Sequence, residues 1–291
     1  MVGKEFLKSI LVPIDRSASC LMAEEMAVLI AKMTGATVTV LHVIPHGVPL
    51  YVQTDTTYSF PSKVMDEVMG ALEQEGEKLI NYAQALFSAG KVPVKTEILR
   101  EHDPPDSILE YSKGGYELII MGVHGENEKD PYTLGSVTKK VVMHARIPIL
   151  ITKKVTPLSS LLVCVDGSEH SIKALDYAVR VAEKMGSKIT LINVQEHRLH
   201  KVSPKVAEEL GERIFAKAMN KVGKKKVKID KKLEIGVPSD KIVEIAEKGK
   251  YDLIVLGSRG LGTVKRFLLG SVSDDVSQKA KCSVLMVPAS A

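Results

Sequence analysis

Short apolar runs alternate along this chain with longer stretches in which apolar residues return every three or four positions. SILVPI (9–14) is a run of the first kind, closed by Asp15, and reads as a strand buried on both faces. Ser17 then caps a helix that carries Leu21, Val28, Leu29 and Met33 at helical spacing until Gly35 stops it. TVTVLHV (37–43) is a second strand, and a long helix over about 63–89 leads into a third strand at 92–99. Another helix spans about 105–113, opened by a proline suited to a first turn. ELIIMG (117–122), a helix from Ser136 and PILIT (148–152) complete five strands. Strands that alternate with helices require a parallel sheet covered on both faces.

The pattern is then written again. SILVPIDRS (9–17) matches SLLVCVDGS (160–168) at an offset of 151, which also carries Gly35 to Gly186 and ATVTVLHV (36–43) to SKITLINV (187–194). YELIIMGVHG (116–125) matches YDLIVLGSRG (251–260), and LGSVTKKV (134–141) matches LGSVSDDV (269–276), both now at an offset of 135. The change of 16 places extra residues in the middle of the first copy, around PHGVPLYVQTDTTYSFP (45–61). That segment, with three aromatics among prolines, makes either a cover over a ligand or an ordinary surface loop. Two domains follow, 1–155 and 156–291, joined near KKVTPLS (153–159).

Both copies place their unusual residues at strand ends, where open parallel sheets bind ligands. Asp15 and Asp166 end the first strands; Gly122 and Gly257 end the fourth. If the strand order is 3-2-1-4-5, the acidic end and the glycine turn face one crevice. The turns share a spacing, Gly122-x2-Gly125-x9-Gly135-Ser136 and Gly257-x2-Gly260-x9-Gly270-Ser271. Each Gly-Ser pair opens a helix, whose first amides and partial positive charge suit an anion. Bare glycine backbone lets those amides come close. Ser136 and Ser271 can cap the helix or meet a phosphate oxygen, and Thr138 and Ser273 add a hydroxyl on the first turn.

Composition narrows the class. The chain is 45% hydrophobic and 26% charged, with 4% aromatics and no Trp, so its core is aliphatic. No apolar run nears the roughly 20 residues of a membrane helix, and the opening is too soon interrupted by Asp15 for a signal peptide. No membrane association and a cytoplasmic location are the expectation. Cys20, Cys164 and Cys282 lie far apart in no metal or disulfide spacing and read as buried free thiols. Much of the net charge of +5 comes from KVGKKKVKIDKK (221–232), which lacks interleaved aromatics; it reads as a solvated loop and edge strand, with no nucleic-acid role.

The two turn segments, MGVHGENEKDPYTLGSVT and LGSRGLGTVKRFLLGSVS, resemble the universal stress protein family, whose mark is G-x2-G-x9-G-[S/T] after the fourth strand. The resemblance covers nearly the whole chain as a tandem pair. It implies two five-stranded parallel sandwiches of order 3-2-1-4-5, of the adenine nucleotide alpha hydrolase-like kind, and ATP or AMP as ligand. By position, Pro13, Ile14 and Asp15, and likewise Val165 and Asp166, lie beside the adenosine. Val43 and Val194 offer backbone hydrogen bonds to adenine, and the two carboxylates serve ribose hydroxyls or a metal such as Mg. Met121, Gly122, His124, Gly125, Gly135, Ser136, Val137 and Thr138 surround ribose and phosphates in the first half. Leu256, Gly257, Arg259, Gly260, Gly270, Ser271, Val272 and Ser273 do so in the second. Family members pair through their last strands; here 147–152 and 283–288 form an internal pseudo-dimer, with a homodimer of two chains a further option.

The copies differ. The second turn carries Arg259, Lys265 and Arg266, whereas ENEKDPYTL (126–134) is acidic and has Pro131, which removes one amide donor. His124 stands where the second copy has Arg259. Nucleotide binding is therefore expected to favour the second half. No GK[ST] phosphate loop, HExxH or GxSxG motif is present, so a binding and regulatory protein is the first reading. GSRGLG (257–262) follows a fourth strand with its glycines wrongly spaced for a dinucleotide fingerprint. A slow Mg-dependent ATPase or nucleotidyl transferase using Asp15 or Asp166 stands as the alternative, and a scaffold without nucleotide as the third.

Overall fold

A computed structural model of the chain describes residues 6–45, 62–125, 133–258, 260, 269–288 and 290. Its first half runs β1 (Ser9–Ile14), α1 (Ala18–Thr34), β2 (Thr37–Pro45), α2 (Ser62–Ala89), β3 (Val94–His102), α3 (Pro104–Tyr111), β4 (Leu118–Gly122), α4 (Ser136–His144) and β5 (Ile149–Thr152). The second half runs β6 (Ser160–Cys164), α5 (Glu169–Met185), β7 (Lys188–Gln195), α6 (His197–Val202), α7 (Pro204–Val222), β8 (Ile229–Ile235), α8 (Pro238–Lys248), β9 (Leu253–Gly257), α9 (Ser271–Lys279) and β10 (Ser283–Val287).

All ten strands form one sheet in the order β3-β2-β1-β4-β5-β10-β9-β6-β7-β8. Read from each edge inward, each half has the order 3-2-1-4-5 with every neighbour parallel. Among the described strands the one reversal is at the centre, where β5 meets β10 antiparallel with Leu150 opposite Leu285. Strand alternation divides the apolar residues between two cores, one on each face. Ile10, Val12, Val163 and Val255 point to the face covered by α1, α2, α5 and α7; Leu11, Ile119, Leu162 and Ile254 point to the face of α3, α4, α8 and α9. Both cores cross the central seam.

Further contacts tie the halves. Phe6 meets Tyr177 edge-on at a centroid distance of 5.0 Å, with the Arg180 guanidinium 5.7 Å over its ring. Lys153, just past β5, donates to the carbonyls of Gln278 (2.8 Å) and Ala280 (2.7 Å) at the C-terminal end of α9, where a cation offsets the helix dipole. The repeat persists in the backbone: Leu7 and Leu158, equivalent positions, both turn through positive φ (63° and 55°) with buried side chains. Gly35 and Gly186 end α1 and α5 in the left-handed conformation, as expected of C-terminal caps.

Three expectations need correcting. Leu21 and Met33 do not make the buried face of α1; they are 42% and 49% exposed, and the sheet is met by Cys20, Ala23, Met26, Ala27, Ile30 and Ala31. Small residues win that face because the helix packs closely on β1 and β4. Cys20 is buried, but Cys164 and Cys282 are only partly so; all three are free thiols. Strand β3 starts and ends later than expected, at Val94 and His102. The lysine-rich stretch does lie at a sheet edge: β8 is outermost, with Lys231 and Lys232 exposed, a charge pattern that discourages further strand pairing. The segment 46–61, the turn residues 126–132, Arg259, Lys265 and Arg266 lie outside the described residues. No described helix is long and apolar enough to cross a membrane.

Candidate functional site

Because β1 lies beside β4, and β6 beside β9, the strand order reverses between each pair and leaves a crevice at their C-terminal ends. The second-half crevice is a cleft of about 550 Å³, within the range of small-molecule sites. Every described second-half residue expected at the site lines it: Val165, Asp166, Val194, Leu256, Gly257, Gly260, Gly270, Ser271, Val272 and Ser273.

Its polar end is the start of α9. Gly270 is the N-cap residue, extended at φ −65° and ψ 142°, and among the described residues no side chain caps the helix. The Gly270 amide bonds to the Ser258 carbonyl (2.9 Å), and the first intrahelical bond runs from Asp274 to Gly270 (2.8 Å). The amides of Ser271, Val272 and Ser273 therefore open the helix toward the cleft without a side-chain partner among the described residues, the arrangement that receives an anion. Asp274 and Asp275 bond instead to Gln278 and Ser239.

Asp166 forms the floor. Its Oδ1 accepts from the Ser168 amide (2.9 Å), so Oδ2 is turned to the glycine loop. A Cβ added at Gly260 would stand 2.8 Å from that Oδ2. The strand-end carboxylate and the second glycine of the motif thus face each other, and a side chain at 260 would displace the Asp166 carboxylate end. Opposite lies an apolar wall from α6, α7 and α8: Leu199, Leu210, Ile214, Pro238 and Ile242.

The first-half crevice is smaller, about 160 Å³. Pro13, Ile14, Asp15, Val43, Met121, Gly122, His124, Gly125, Val137 and Thr138 line it, whereas Gly135 and Ser136 do not. Asp15 repeats the geometry of Asp166. Its Oδ1 takes the Ser17 amide (2.9 Å) and hydroxyl (2.6 Å), and a Cβ at Gly125 would lie 3.3 Å from Oδ2. Buried Nδ1 of His124 has no hydrogen-bond partner among the described residues. Behind Asp15, the chemistry departs from the second copy. Glu24 and Cys20 stand where the other half has Leu175 and Ser171. Burial, reinforced by the Asp15 and Glu25 charges, raises the Glu24 carboxyl from 4.5 to about 7. Burial, then the charges of Glu24 and Asp15, also push the Cys20 thiol well up, so it stays protonated at neutral pH.

Several assignments change in detail. Gly122 and Gly257 are demanded by packing: a Cβ at Gly122 would come within 2.7 Å of Ser19 backbone, and one at Gly257 within 2.8 Å of His170 backbone. Ser136 and Ser271 are first helical residues rather than caps, since Gly135 and Gly270 hold the cap positions. Thr138 and Ser273 donate to the carbonyls of Gly122 (3.0 Å) and Gly257 (2.8 Å), tying helix to strand, so their hydroxyl protons are already committed.

The sequence reading missed Asn193 and Gln195, which lie in the second cleft although buried. Asn193 Nδ2 donates to the Val165 carbonyl (2.7 Å), and Gln195 Nε2 donates to Asn193 Oδ1 (2.6 Å). His42 makes the matching tie in the first half, Nδ1 to the Ile14 carbonyl at 3.0 Å. The signal was present: two amides spaced by two in an otherwise apolar strand, TLINVQ. The α6–α8 wall had no comparable signal.

Comparison with known proteins agrees with this architecture. The model of the universal stress protein family matches residues 7–153 and again 158–288. The universal stress protein YxiE of Bacillus subtilis is 33% identical over 146 residues, covering 44% of this chain and 98% of its own. The universal stress protein MJ0531 of Methanocaldococcus jannaschii is 34% identical over 141 residues, covering 44% and 80%. The crystal structure of a universal stress protein from Archaeoglobus fulgidus matches 97% of this chain and 98% of its own at a TM-score of 0.70, a likeness of fold at 22% identity. Matched twice over and nearly end to end, the chain belongs to the universal stress protein family.

Proposed function

We propose that this protein binds an adenine nucleotide, ATP or AMP, in its second cleft and serves a regulatory role in a stress response rather than a primarily catalytic one. One observation carries the reading: the start of α9 opens on a cleft whose floor is Asp166 and whose glycine turn brings Gly260 against the Asp166 carboxylate. The strand order β9-β6-β7 supports one direction for the ligand in this reading. Phosphates sit on the amides of Ser271–Ser273, the ribose lies over Asp166, and the base rests between Val194 and the apolar wall of Leu199, Leu210 and Ile242. Among the described residues no three His, Cys, Asp or Glu side chains converge as a metal site. A divalent cation such as Mg would be held by the nucleotide's phosphate oxygens, with Asp166 in the cleft floor able to supply a carboxylate oxygen.

Each domain, 1–155 and 156–291, is one module of this kind, with unequal capacity. The first cleft has less than a third of the volume, and its wall lacks Gly135 and Ser136. Isothermal titration of ATP and AMP into the full chain tests the reading. Gly260→Val is expected to lower affinity at least tenfold with an unchanged melting temperature, while Gly125→Val leaves the main binding event intact. Absence of binding heat from folded wild type overturns the proposal, and equal losses in the two variants overturn the inequality of the halves.

A further inference from the structure

Gln195 has a fixed polarity that the nucleotide site does not require for folding. The chain of bonds starts at the Val165 carbonyl, which can only accept. Asn193 must therefore present its Nδ2 there, which turns its Oδ1 toward Gln195. Gln195 must in turn present Nε2 to that oxygen. Neither amide can flip without placing two acceptors or two donors face to face. Both side chains are deeply buried, at 3% and 6% exposure, so water does not relax this order. Among the described residues Gln195 makes no other side-chain hydrogen bond, and its Oε1 is left as an acceptor in the cleft that the residue lines.

The first half folds the same strand without this device. His42 alone ties the Ile14 carbonyl, and Ile44 stands in the place of Gln195. The Asn193–Gln195 pair is thus an addition to the second cleft, at its β7 end, on the side where the proposed nucleotide has its base. We propose that Gln195 selects the base of the bound nucleotide: its oriented Oε1 accepts from an exocyclic amine and disfavours a base that presents an oxygen there. The ligand class is then an amino-purine rather than an oxo-purine nucleotide. This inference rests on the nucleotide reading above.

The test compares adenosine and inosine monophosphates, which differ at that group, by calorimetry on the full chain. One neutral hydrogen bond gained, with an acceptor clash avoided, corresponds to about tenfold tighter binding of the adenine nucleotide by wild type. Gln195→Leu removes the acceptor. Asn193→His/Gln195→Ile transplants the first-half pair and keeps the tie to the Val165 carbonyl, so it guards against loss of folding. Both variants are expected to bring the ratio of affinities below about threefold, a change that a merely structural role, acting on both nucleotides alike, does not produce. Equal binding of the two nucleotides by wild type, or an unchanged ratio in both variants, overturns the role of Gln195 and leaves the nucleotide site standing. Binding of neither by wild type overturns the site itself and this inference with it.

Discussion

Glu24 offers a quantitative check on the first half. Its carboxyl is 2% exposed in α1, close to Asp15, at a position where the second copy has Leu175. A rise from 4.5 to about 7 means that the folded protein holds this proton more tightly than the unfolded chain does. Between those values the native state carries the proton and the unfolded state has lost it, so stability falls as pH rises from 4.5 to about 7 and then levels. At 1.36 kcal/mol per pH unit, the whole window corresponds to about 3 kcal/mol. Glu24→Gln removes the titrating group while keeping its shape, and Glu24→Leu adopts the residue of the second copy. Urea unfolding of wild type and variants at half-unit steps from pH 5 to 8 reads the difference directly. The variants should gain on wild type by about 3 kcal/mol across the series, with the change complete near pH 7. Parallel curves, separated by a constant offset, refute the reasoning: Glu24 would then ionise as it does in the unfolded chain.

Two further outcomes are expected. Gly257→Ala places its methyl against His170 backbone and is expected to cost about 1–3 kcal/mol of stability by overpacking. Chemical denaturation checks this, and a neutral result shows that β9 and α5 can separate freely. Phe6→Ala removes the ring between Tyr177 and Arg180 and should destabilise the chain by about 2 kcal/mol, because it strips contacts that join the halves. The same denaturation experiment reads it, and an unchanged midpoint means the ring contributes nothing to the seam.

Much of the fold was legible because local pattern and tertiary role agree. SILVPI and SLLVC carry apolar residues for both faces, and β1 and β6 lie inside the sheet with cores on either side. The repeat identified the strand-end aspartates and glycine turns, and the structure brings Asp166 to Gly260 and Asp15 to Gly125. What sequence could not separate was why a given glycine is there. Gly257 and Gly260 lie three apart in one motif, yet one yields to helix backbone and the other to a mobile carboxylate end. That distinction depends on what approaches from elsewhere in the chain. Leu21 and Met33 misled for a related reason: their spacing is helical, but close packing on the sheet selected the alanine face. The wall of Leu210, Ile214 and Ile242 exists only once α7 and α8 flank β7 and its neighbours, so no local signal announces it.

The central claim is that the uncapped start of α9 receives the phosphate of an adenine nucleotide. Crystals of the full chain grown in millimolar AMP test it most directly. The account predicts phosphate density within hydrogen-bonding distance of the amides of Ser271, Val272 and Ser273, with the base beside Val194. Ordered solvent alone along α9, or a cleft closed by its own side chains, contradicts it.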